Sequence, residues 1–413
     1  MKLDQIQIEH ISAAFQKMQS KEDLLQLLNE VKPLIYGEKT VPFELRQITW
    51  YANPKLCKHR YIDFKIKKKS GGDRSIHAPV SGLKAIQKVL SIILQCVFEP
   101  HKAAMGFVRE RSIVENAKLH QGQTYVYNID LKDFFPTIDK ARVWTCFQLR
   151  PFNLKKELSE GIPYNTKSGK QEIANILAAL CCTEMDVERK DANGSWVVVQ
   201  KEVLPQGAPT SPVITNIICY RLDYLLSAAG KRFGLKYSRY ADDITFSSMH
   251  NVFQRESDFL KEMQRIILDQ GFHIKESKTR LQKQGYRQEV TGLLVNEKVN
   301  VRQRYIKQLR AWLYFWERYG YVKAEGLFLK KYIADRGHII SGKPNMKEVI
   351  GGKLNYLKMV KGNENEMYLK LKARFDMLTN NKVPESRKKY LDTILVRLLE
   401  NGLNDAMKNY TVR

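Results

Sequence analysis

Two adjacent acids, Asp242 and Asp243, interrupt the run Lys236–Ser247, which is otherwise rich in strand-forming residues. Successive side chains of a strand point to opposite faces, and Asp is disfavoured in strands, so an ordinary ladder does not accommodate this pair. A hairpin whose turn carries the acids satisfies both constraints. A solvated turn also explains them, since Asp is common in turns. Carboxylates fixed on such a turn can instead bind Mg²⁺, which takes carboxylate oxygens together with substrate phosphates.

A third acid, Asp130, ends the apolar run Tyr125–Asp130 and is followed by Phe134, Phe135 and Pro136. This order predicts a strand with its acid at the edge of a sheet. Taken alone, Asp130 is also consistent with an ordinary strand end. Together with the other two acids it completes the set that a two-metal site needs, with the ions about 3.5–4 Å apart.

A rigid loop is predicted at Leu204–Pro212, which holds three prolines and a glycine before a helix that contains Asn216. Backbone N–H groups at a helix N-terminus favour a phosphate or a sugar oxygen. The alternative is a proline-rich turn capped by Ser211, with Pro212 at the first helical position. Both interpretations can hold together.

The charge balance indicates a polyanionic partner, because 69 Lys and Arg against 44 Asp and Glu give a net charge of +25. A basic membrane-surface protein is the competing interpretation, weakened by the lack of an 18-residue apolar run.

The six cysteines form no Cys-x-x-Cys pair, and the first ten residues contain no apolar signal core. We therefore expect a cytoplasmic protein with reduced cysteines and no membrane partner.

The pattern along the chain predicts an α+β body followed by a helical domain. Strand alternation on either side of a turn predicts a basic hairpin over 60–78, and a second hairpin surrounds Asn193 and Gly194. Helices are expected at 82–98, 212–229 and 251–270, and strands at 273–276 and 289–295. The expected domains are an N-terminal helical segment (1–48), a body (49–302), a helical domain (303–375) and a C-terminal helical extension (376–413).

Three motifs occur here in the order found in reverse transcriptases: the strand that ends in Asp130, the loop Leu-Pro-Gln-Gly-x-Pro-x-Ser-Pro and the turn Tyr-Ala-Asp-Asp. The chain closely resembles that family over roughly 55–300. The resemblance implies a right-hand fold with fingers and palm (49–302) and a helical, RNA-binding thumb (303–375). It also implies RNA-directed DNA polymerase activity, a nucleotidyl transfer that uses dNTPs and two Mg²⁺ ions, with Mn²⁺ as an alternative. The implied metal ligands are Asp130, Asp242 and Asp243.

Further roles follow from the same resemblance. Lys278 matches a lysine that protonates the leaving pyrophosphate, although a solvated surface lysine is an equally good interpretation. Phe135 matches the residue under the incoming sugar, and Gln206 matches a residue of the nucleotide pocket. The substrate-binding set is Lys67, Arg74, Phe135, Gln206 and Tyr240, in which Lys67 and Arg74 lie on opposite arms of the basic hairpin and clamp the triphosphate.

Two short elements resemble those of retron reverse transcriptases: Asn116-Ala-Lys-Leu-His120 and Val290-Thr291-Gly292. We expect RNA binding by Asn116, His120, Val290, Thr291 and Gly292, although the first two residues also fit an ordinary helix pair four residues apart. The segments 183–203 and 376–413 are longer than in compact members, and partner or RNA contacts are expected there.

The retron resemblance implies that a cognate structured noncoding RNA of msr-msd type is copied into branched RNA–DNA (msDNA), primed from the 2′-OH of a guanosine. It also implies anti-phage defence with an effector or toxin protein from the same locus. The alternatives are a group II intron-like enzyme, an abortive-infection reverse transcriptase, or an RNA–DNA scaffold that restrains a toxin.

Overall fold

A computed structural model describes residues 3–67, 72–155, 168–336 and 344–380. The chain divides into two compact units, Met1–Val299 and Asn300–Arg413. The Gly, Pro, Asn and Ser residues at 161–169 predict a loop, most of which lies outside the described residues. The C-terminal extension beyond residue 380 and the tip of the basic hairpin also lie outside them. None of the described helices has both the length and the apolar character needed to cross a bilayer.

The first unit mixes helices with short antiparallel strands. Its helices are α1 (Gln5–Lys17), α2 (Lys21–Tyr36), α3 (Leu45–Ala52), α4 (Ser81–Val97), α5 (Ile113–Leu119), α6 (Lys140–Gln148), α7 (Gly169–Cys181), α8 (Ser211–Ile218), α9 (Tyr220–Arg232) and α10 (Asp258–Asp269). Its strands are β1 (Tyr61–Lys67), β2 (Asp73–Pro79), β3 (Tyr125–Asp130), β4 (Thr183–Lys190), β5 (Trp196–Val203), β6 (Lys236–Tyr240), β7 (Asp243–Ser248), β8 (Arg280–Lys283), β9 (Glu289–Val290) and β10 (Leu293–Leu294).

The central sheet has the strand order β6-β7-β3-β8, and every neighbouring pair is antiparallel. One face is covered by aromatic packing: the Phe246 ring centroid on β7 lies 4.9 Å from both Tyr237 on β6 and Phe259 on α10. This burial fixes the register, because a shift by one residue would turn every side chain of β7 to the other face. The fixed register positions the acids at one end of the sheet.

The N-terminal helices belong to the first unit and do not stand apart from it. Both begin with a capping box, Asp4 with Gln7 for α1 and Ser20 with Asp23 for α2. Their apolar faces pack on α4, and Phe15 is almost fully buried there.

The structure confirms the α+β fold and both predicted hairpins, β1–β2 and β4–β5. Three local predictions are wrong. The helix expected at 212–229 is two helices that meet at Cys219, whose ψ of 0° departs from helical values. The strand at 273–276 is reduced to one bridge between Ile274 and Leu131. The strand at 289–295 is a small β9–β10 hairpin, because Thr291 and Gly292 have positive φ.

The described part of the second unit is helical, with α11 (Gln303–Arg336), α12 (Met346–Lys361) and α13 (Glu366–Asn380). The rings of Trp312 and Phe328 pack edge to face at 4.9 Å, and both side chains are buried. Gly320 interrupts α11 with φ 77° and ψ 167°. A residue with a Cβ rarely adopts that conformation, which explains a glycine inside a long helix.

Candidate active site

The two central strands place Asp130 directly opposite Asp243, because β3 and β7 pair in that register. Asp242 occupies the two-residue turn between β6 and β7, and its carbonyl accepts a hydrogen bond from Leu131 N–H at 3.0 Å. Ala241 supplies the positive φ of 56° that the turn requires. The predicted hairpin is confirmed, but its turn carries only Asp242, because Asp243 is the first residue of β7. The structure brings all three acids to one end of the sheet.

Negative charge is concentrated at this end of the sheet. Asp243 is open to solvent on one side, yet its partial burial and the charges of Asp242 and Asp130 raise its pKa to about 6. Burial and the charge of Asp130 also raise the pKa of Asp242. Carboxylates that resist ionisation in this way gain most from a cation placed between them.

Lys278 supplies one such cation, since its Nζ lies 2.6 Å from Asp130 Oδ2. Among the described residues, no group of three or more His, Cys, Asp or Glu side chains is already arranged as a metal centre. The oxygen donors, three carboxylates with the one ammonium group of Lys278 beside them, nonetheless fit a hard divalent cation by chemistry. Such an ion would compete with Lys278 for Asp130.

A buried arginine holds the acidic turn from behind. Arg239 is fully buried, and it donates from Nε and Nη2 to the two carboxylate oxygens of Asp223 at 2.8 and 2.7 Å. Its Nη1 donates to the carbonyl of Ala241 at 3.2 Å. This pair was not predicted from the sequence, although an arginine in the strand that leads into the acidic turn was a visible signal that it needs a partner.

Asn216 extends this network to a neighbouring loop. Its side-chain oxygen accepts from Arg239 Nη2 at 3.1 Å, and its Nδ2 donates to the carbonyl of Gly106 at 3.0 Å. Gly106 lies so close to the turn that a Cβ there would be 2.7 Å from Ala241 N. The backbone of the acidic turn is therefore fixed on two sides.

Three aromatic rings stand beside the acids. Phe107, with 43% of its surface exposed, lies 6.3 Å from Phe135 and 6.4 Å from Tyr240, measured between ring centroids. Phe135 and Tyr240 are half-buried, as expected for residues that line a pocket. Phe107 was not predicted from the sequence, since its positive φ of 60° is not visible there.

The proline-rich loop is docked on the basic hairpin. His77 N–H on β2 donates to the carbonyl of Gln206 at 2.9 Å. Gly207 has φ 127°, and a Cβ there would lie 2.8 Å from His77 O. The Ser211 hydroxyl donates to the carbonyl of Pro205 at 2.7 Å and does not cap α8, so the predicted Ser211 cap is wrong.

The two predicted triphosphate cations occupy different faces of the β1–β2 ribbon. Arg74 pairs with Ile66, whereas Lys67 pairs with Asp73 one position further along. Directly opposed residues share a face and successive residues alternate, so Arg74 and Lys67 point to opposite sides. The charge of Arg74 acts on Asp242 and offsets part of the rise in its pKa.

The predicted RNA contacts of Asn116, His120 and Val290 are wrong, because at most 1% of each residue is exposed. His120 lies between the hydroxyls of Ser238 and Ser247, each at 2.7 Å from a ring nitrogen. The Ser238 hydroxyl in turn donates to Asn116 Oδ1 at 2.5 Å.

Burial lowers the pKa of His120 to about 3, so the ring is neutral at ordinary pH. Of the other two residues predicted to bind RNA, Thr291 is half-buried and Gly292 is exposed.

Comparison with known proteins adds family relationships. A family model described as reverse transcriptase (RNA-dependent DNA polymerase) matches residues 66–295. The retron Mx162 reverse transcriptase of Myxococcus xanthus is 36% identical over 66% of this chain and 56% of its own length. The retron Mx65 reverse transcriptase of the same organism is 35% identical over 63% and 57%, respectively. The retron Ec86 reverse transcriptase of Escherichia coli is 34% identical over 61% and 68%. This chain thus spans little more than half the length of the two Myxococcus relatives.

Proposed function

Since this chain belongs to the reverse transcriptase family, and within it to the retron type, we propose that it is an RNA-directed DNA polymerase that joins dNTPs on an RNA template. The observation that carries the proposal is the register that sets Asp130 opposite Asp243, with Asp242 in the adjoining turn. Carboxylates from two neighbouring strands, held by buried hydrogen bonds, are what a nucleotidyl transfer requires.

Asp130, Asp242 and Asp243 would hold two Mg²⁺ or Mn²⁺ ions, which when bound activate the attacking hydroxyl and stabilise the leaving pyrophosphate. The chain's own residues supply the remaining chemistry. Arg74 brings positive charge toward the triphosphate, in line with its effect on Asp242. Lys278 is already at the site, and its ammonium group can give a proton to the pyrophosphate once Asp130 releases it.

Phe135 is proposed to select deoxynucleotides, because a ring under the sugar leaves no room for a 2′-OH. Its packing against Phe107 limits how far the ring can turn aside. Gln206 and Tyr240 complete the nucleotide pocket in this proposal. Gln206 is held by His77 N–H, so a movement of the hairpin would be transmitted to the pocket.

The proposed template is a cognate structured noncoding RNA of msr-msd type, copied into branched msDNA. Support comes from the retron relatives and from the two retron-like elements, which lie in one region of the first unit: the Thr291 hydroxyl donates to Ile113 O of α5 at 3.3 Å.

The helical second unit carries exposed Lys307, Arg310 and Arg318 on α11, and we propose that it binds RNA phosphates.

Defence against phage, together with an effector or toxin protein from the same locus, is part of the proposal and rests on the retron relationship alone. Within it, DNA synthesis can serve to build an RNA–DNA scaffold that restrains the toxin. A bacterial cytoplasmic location accords with relatives from Myxococcus xanthus and Escherichia coli. The retron relationship replaces the group II intron-like and abortive-infection alternatives.

The test is to purify the protein from its native host and sequence the nucleic acid that accompanies it. We expect a short DNA of defined sequence, joined 2′–5′ to an RNA, that an RNA debranching enzyme separates into two strands. Linear DNA of arbitrary sequence, unaffected by debranching, would contradict the retron-type product while leaving polymerase activity in place.

A further inference from the structure

The turn at residues 283–287, which joins β8 to β9, presents Tyr286 to solvent. Tyr286 has 77% of its surface exposed, more than any other aromatic side chain in the described part of the chain. An exposed tyrosine ring offers an aromatic face on which a ligand can stack.

Buried polar groups fix the backbone of this turn. Gln288 is 1% exposed, and its Nε2 donates to the carbonyls of Gln123 and Thr124 at 2.9 and 3.1 Å. Asn296 Nδ2 donates to the carbonyl of Tyr286 at 2.7 Å. Burying polar side chains is costly unless each is hydrogen-bonded, and here the hydrogen bonds hold an exposed turn in one conformation. A turn whose backbone is already ordered loses less conformational entropy when a ligand binds to it.

Exposed basic residues lie in the same turn and on the segments that adjoin it. Lys283 and Arg287 lie within the turn, and Arg287 Nε is 3.1 Å from Oε1 of the buried Glu289, which orients the guanidinium. Two further exposed lysines lie on adjoining segments, Lys118 at the end of α5 and Lys298 after β10. The segment after α5 is joined to the segment after β10 by hydrogen bonds from Gln121 and Gly122 to the backbone of residues 296–297. Glu297 on the second segment is an exposed acid. We call Lys118, Lys283, Tyr286, Arg287 and Lys298 the basic platform.

The two retron-like elements hold the basic platform in place. α5, which carries Asn116, packs against β9 and β10, and Thr291 bonds to the first residue of that helix. Their side chains are largely buried, so the exposed platform is the surface through which they can influence a ligand. Lys283 pairs with Tyr125, five residues before Asp130 on β3, which puts the platform about 17 Å from the acids.

We propose that the basic platform binds an unpaired segment of RNA, with a base stacked on Tyr286 and phosphates at Lys283 and Arg287. Single-stranded RNA is recognised by stacking on aromatic rings combined with basic contacts to the backbone. An exposed ring in one turn with the cations Lys283 and Arg287 combines the two features that such a ligand requires. This inference rests on the proposed function, because the RNA would be the template or a part of the same molecule.

The experiment compares Tyr286→Ala and Tyr286→Phe with the wild type and with Tyr224→Ala, an exposed tyrosine (63%) on α9, as the matched control. The probe is a fluorescein-labelled RNA hairpin with a 12-nucleotide unpaired tail, and the readout is fluorescence anisotropy. We expect Tyr286→Ala to weaken binding about 5- to 100-fold, as removal of one stacked base does. Tyr286→Phe keeps the ring and should bind within twofold of the wild type, as should Tyr224→Ala.

Unchanged affinity in Tyr286→Ala, or an equal loss in Tyr224→Ala, would overturn the platform. Lys283→Gln and Arg287→Gln should each lower the slope of log affinity against log salt by roughly one. An unchanged slope in both would refute the phosphate contacts.

Wild-type primer extension on poly(rA)–oligo(dT) separates the two proposals. If it fails, the proposed polymerase function is wrong; if it succeeds while Tyr286→Ala binds RNA normally, only the platform is wrong.

Discussion

Replacing Asp223 with asparagine tests whether the buried pair behind the acidic turn stabilises the fold and positions the acids. Asp223 and Arg239 each have 0% of their side-chain surface exposed, and the carboxylate receives both hydrogen bonds of the guanidinium fork. Asparagine keeps the shape and removes the charge, which leaves a buried arginine without a counter-ion. Breaking a buried pair in this way costs about 3–5 kcal/mol.

The matched control is Asp269→Asn, whose partner Arg265 lies four residues earlier on α10. Their side chains are 55% and 65% exposed, respectively, with Nη1 and Oδ2 2.9 Å apart. Solvent screens such a pair, and its loss should cost no more than about 0.5 kcal/mol. Urea denaturation followed by circular dichroism gives both values from the same preparation.

Activity provides the second readout. Arg239 also donates to Ala241 O and to Asn216, so loss of its counter-ion should displace the turn that carries Asp242. At a temperature where Asp223→Asn is fully folded, we expect a lower kcat for primer extension and a higher Mg²⁺ concentration for half-maximal rate. Equal destabilisation by the two variants, or normal activity and Mg²⁺ dependence in Asp223→Asn, would refute the positioning role.

Three further perturbations test other parts of the site. His120 has a folded pKa of about 3 against about 6.5 in the unfolded chain, so the unfolded state binds an extra proton between these values. The free energy of unfolding should therefore fall by about 1.4 kcal/mol for each pH unit as the pH drops through this window. Urea titrations at several pH values should show a flatter slope for His120→Gln. A slope identical to that of the wild type would contradict the low pKa of His120. Gly106→Ala places a Cβ 2.7 Å from Ala241 N, so it should lower the free energy of unfolding by roughly 1–3 kcal/mol and slow primer extension. The control is Gly326→Ala, whose Cβ would have no neighbour within 4 Å and which should neither destabilise the protein nor slow extension. Phe135→Ala should raise the ratio of rNTP to dNTP kcat/KM on the order of tenfold or more, and an unchanged ratio would exclude Phe135 from sugar selection.

The acidic end of the sheet was predictable because its signals are local. Strand alternation identifies β3, β6 and β7, and two adjacent acids between strands require a turn. That Asp130 and the pair are directly opposed follows from strand register, which the buried face of β7 determines. A sequence shows which residues alternate but not which strand pairs with which.

The supporting contacts were not predictable, since they join distant positions. Arg239 meets Asp223 across 16 residues, and Asn216 meets Gly106 across 110. In the retron-like elements the RNA-binding role was wrong for the buried Asn116, His120 and Val290, whereas RNA contact by Thr291 and Gly292 stays a prediction. A motif shows that particular residues are required; burial decides whether they contact a ligand or, like His120, hold the fold.

The central claim, RNA-templated DNA synthesis by the three acids, is tested most directly by one comparison. Wild type and Asp243→Asn are purified in parallel, and each is given an RNA template, a DNA primer, radiolabelled dNTPs and Mg²⁺. We expect labelled, RNase-resistant DNA from the wild type and background signal from Asp243→Asn, with equal affinity of both proteins for the template. DNA synthesis by Asp243→Asn at the wild-type rate would contradict it.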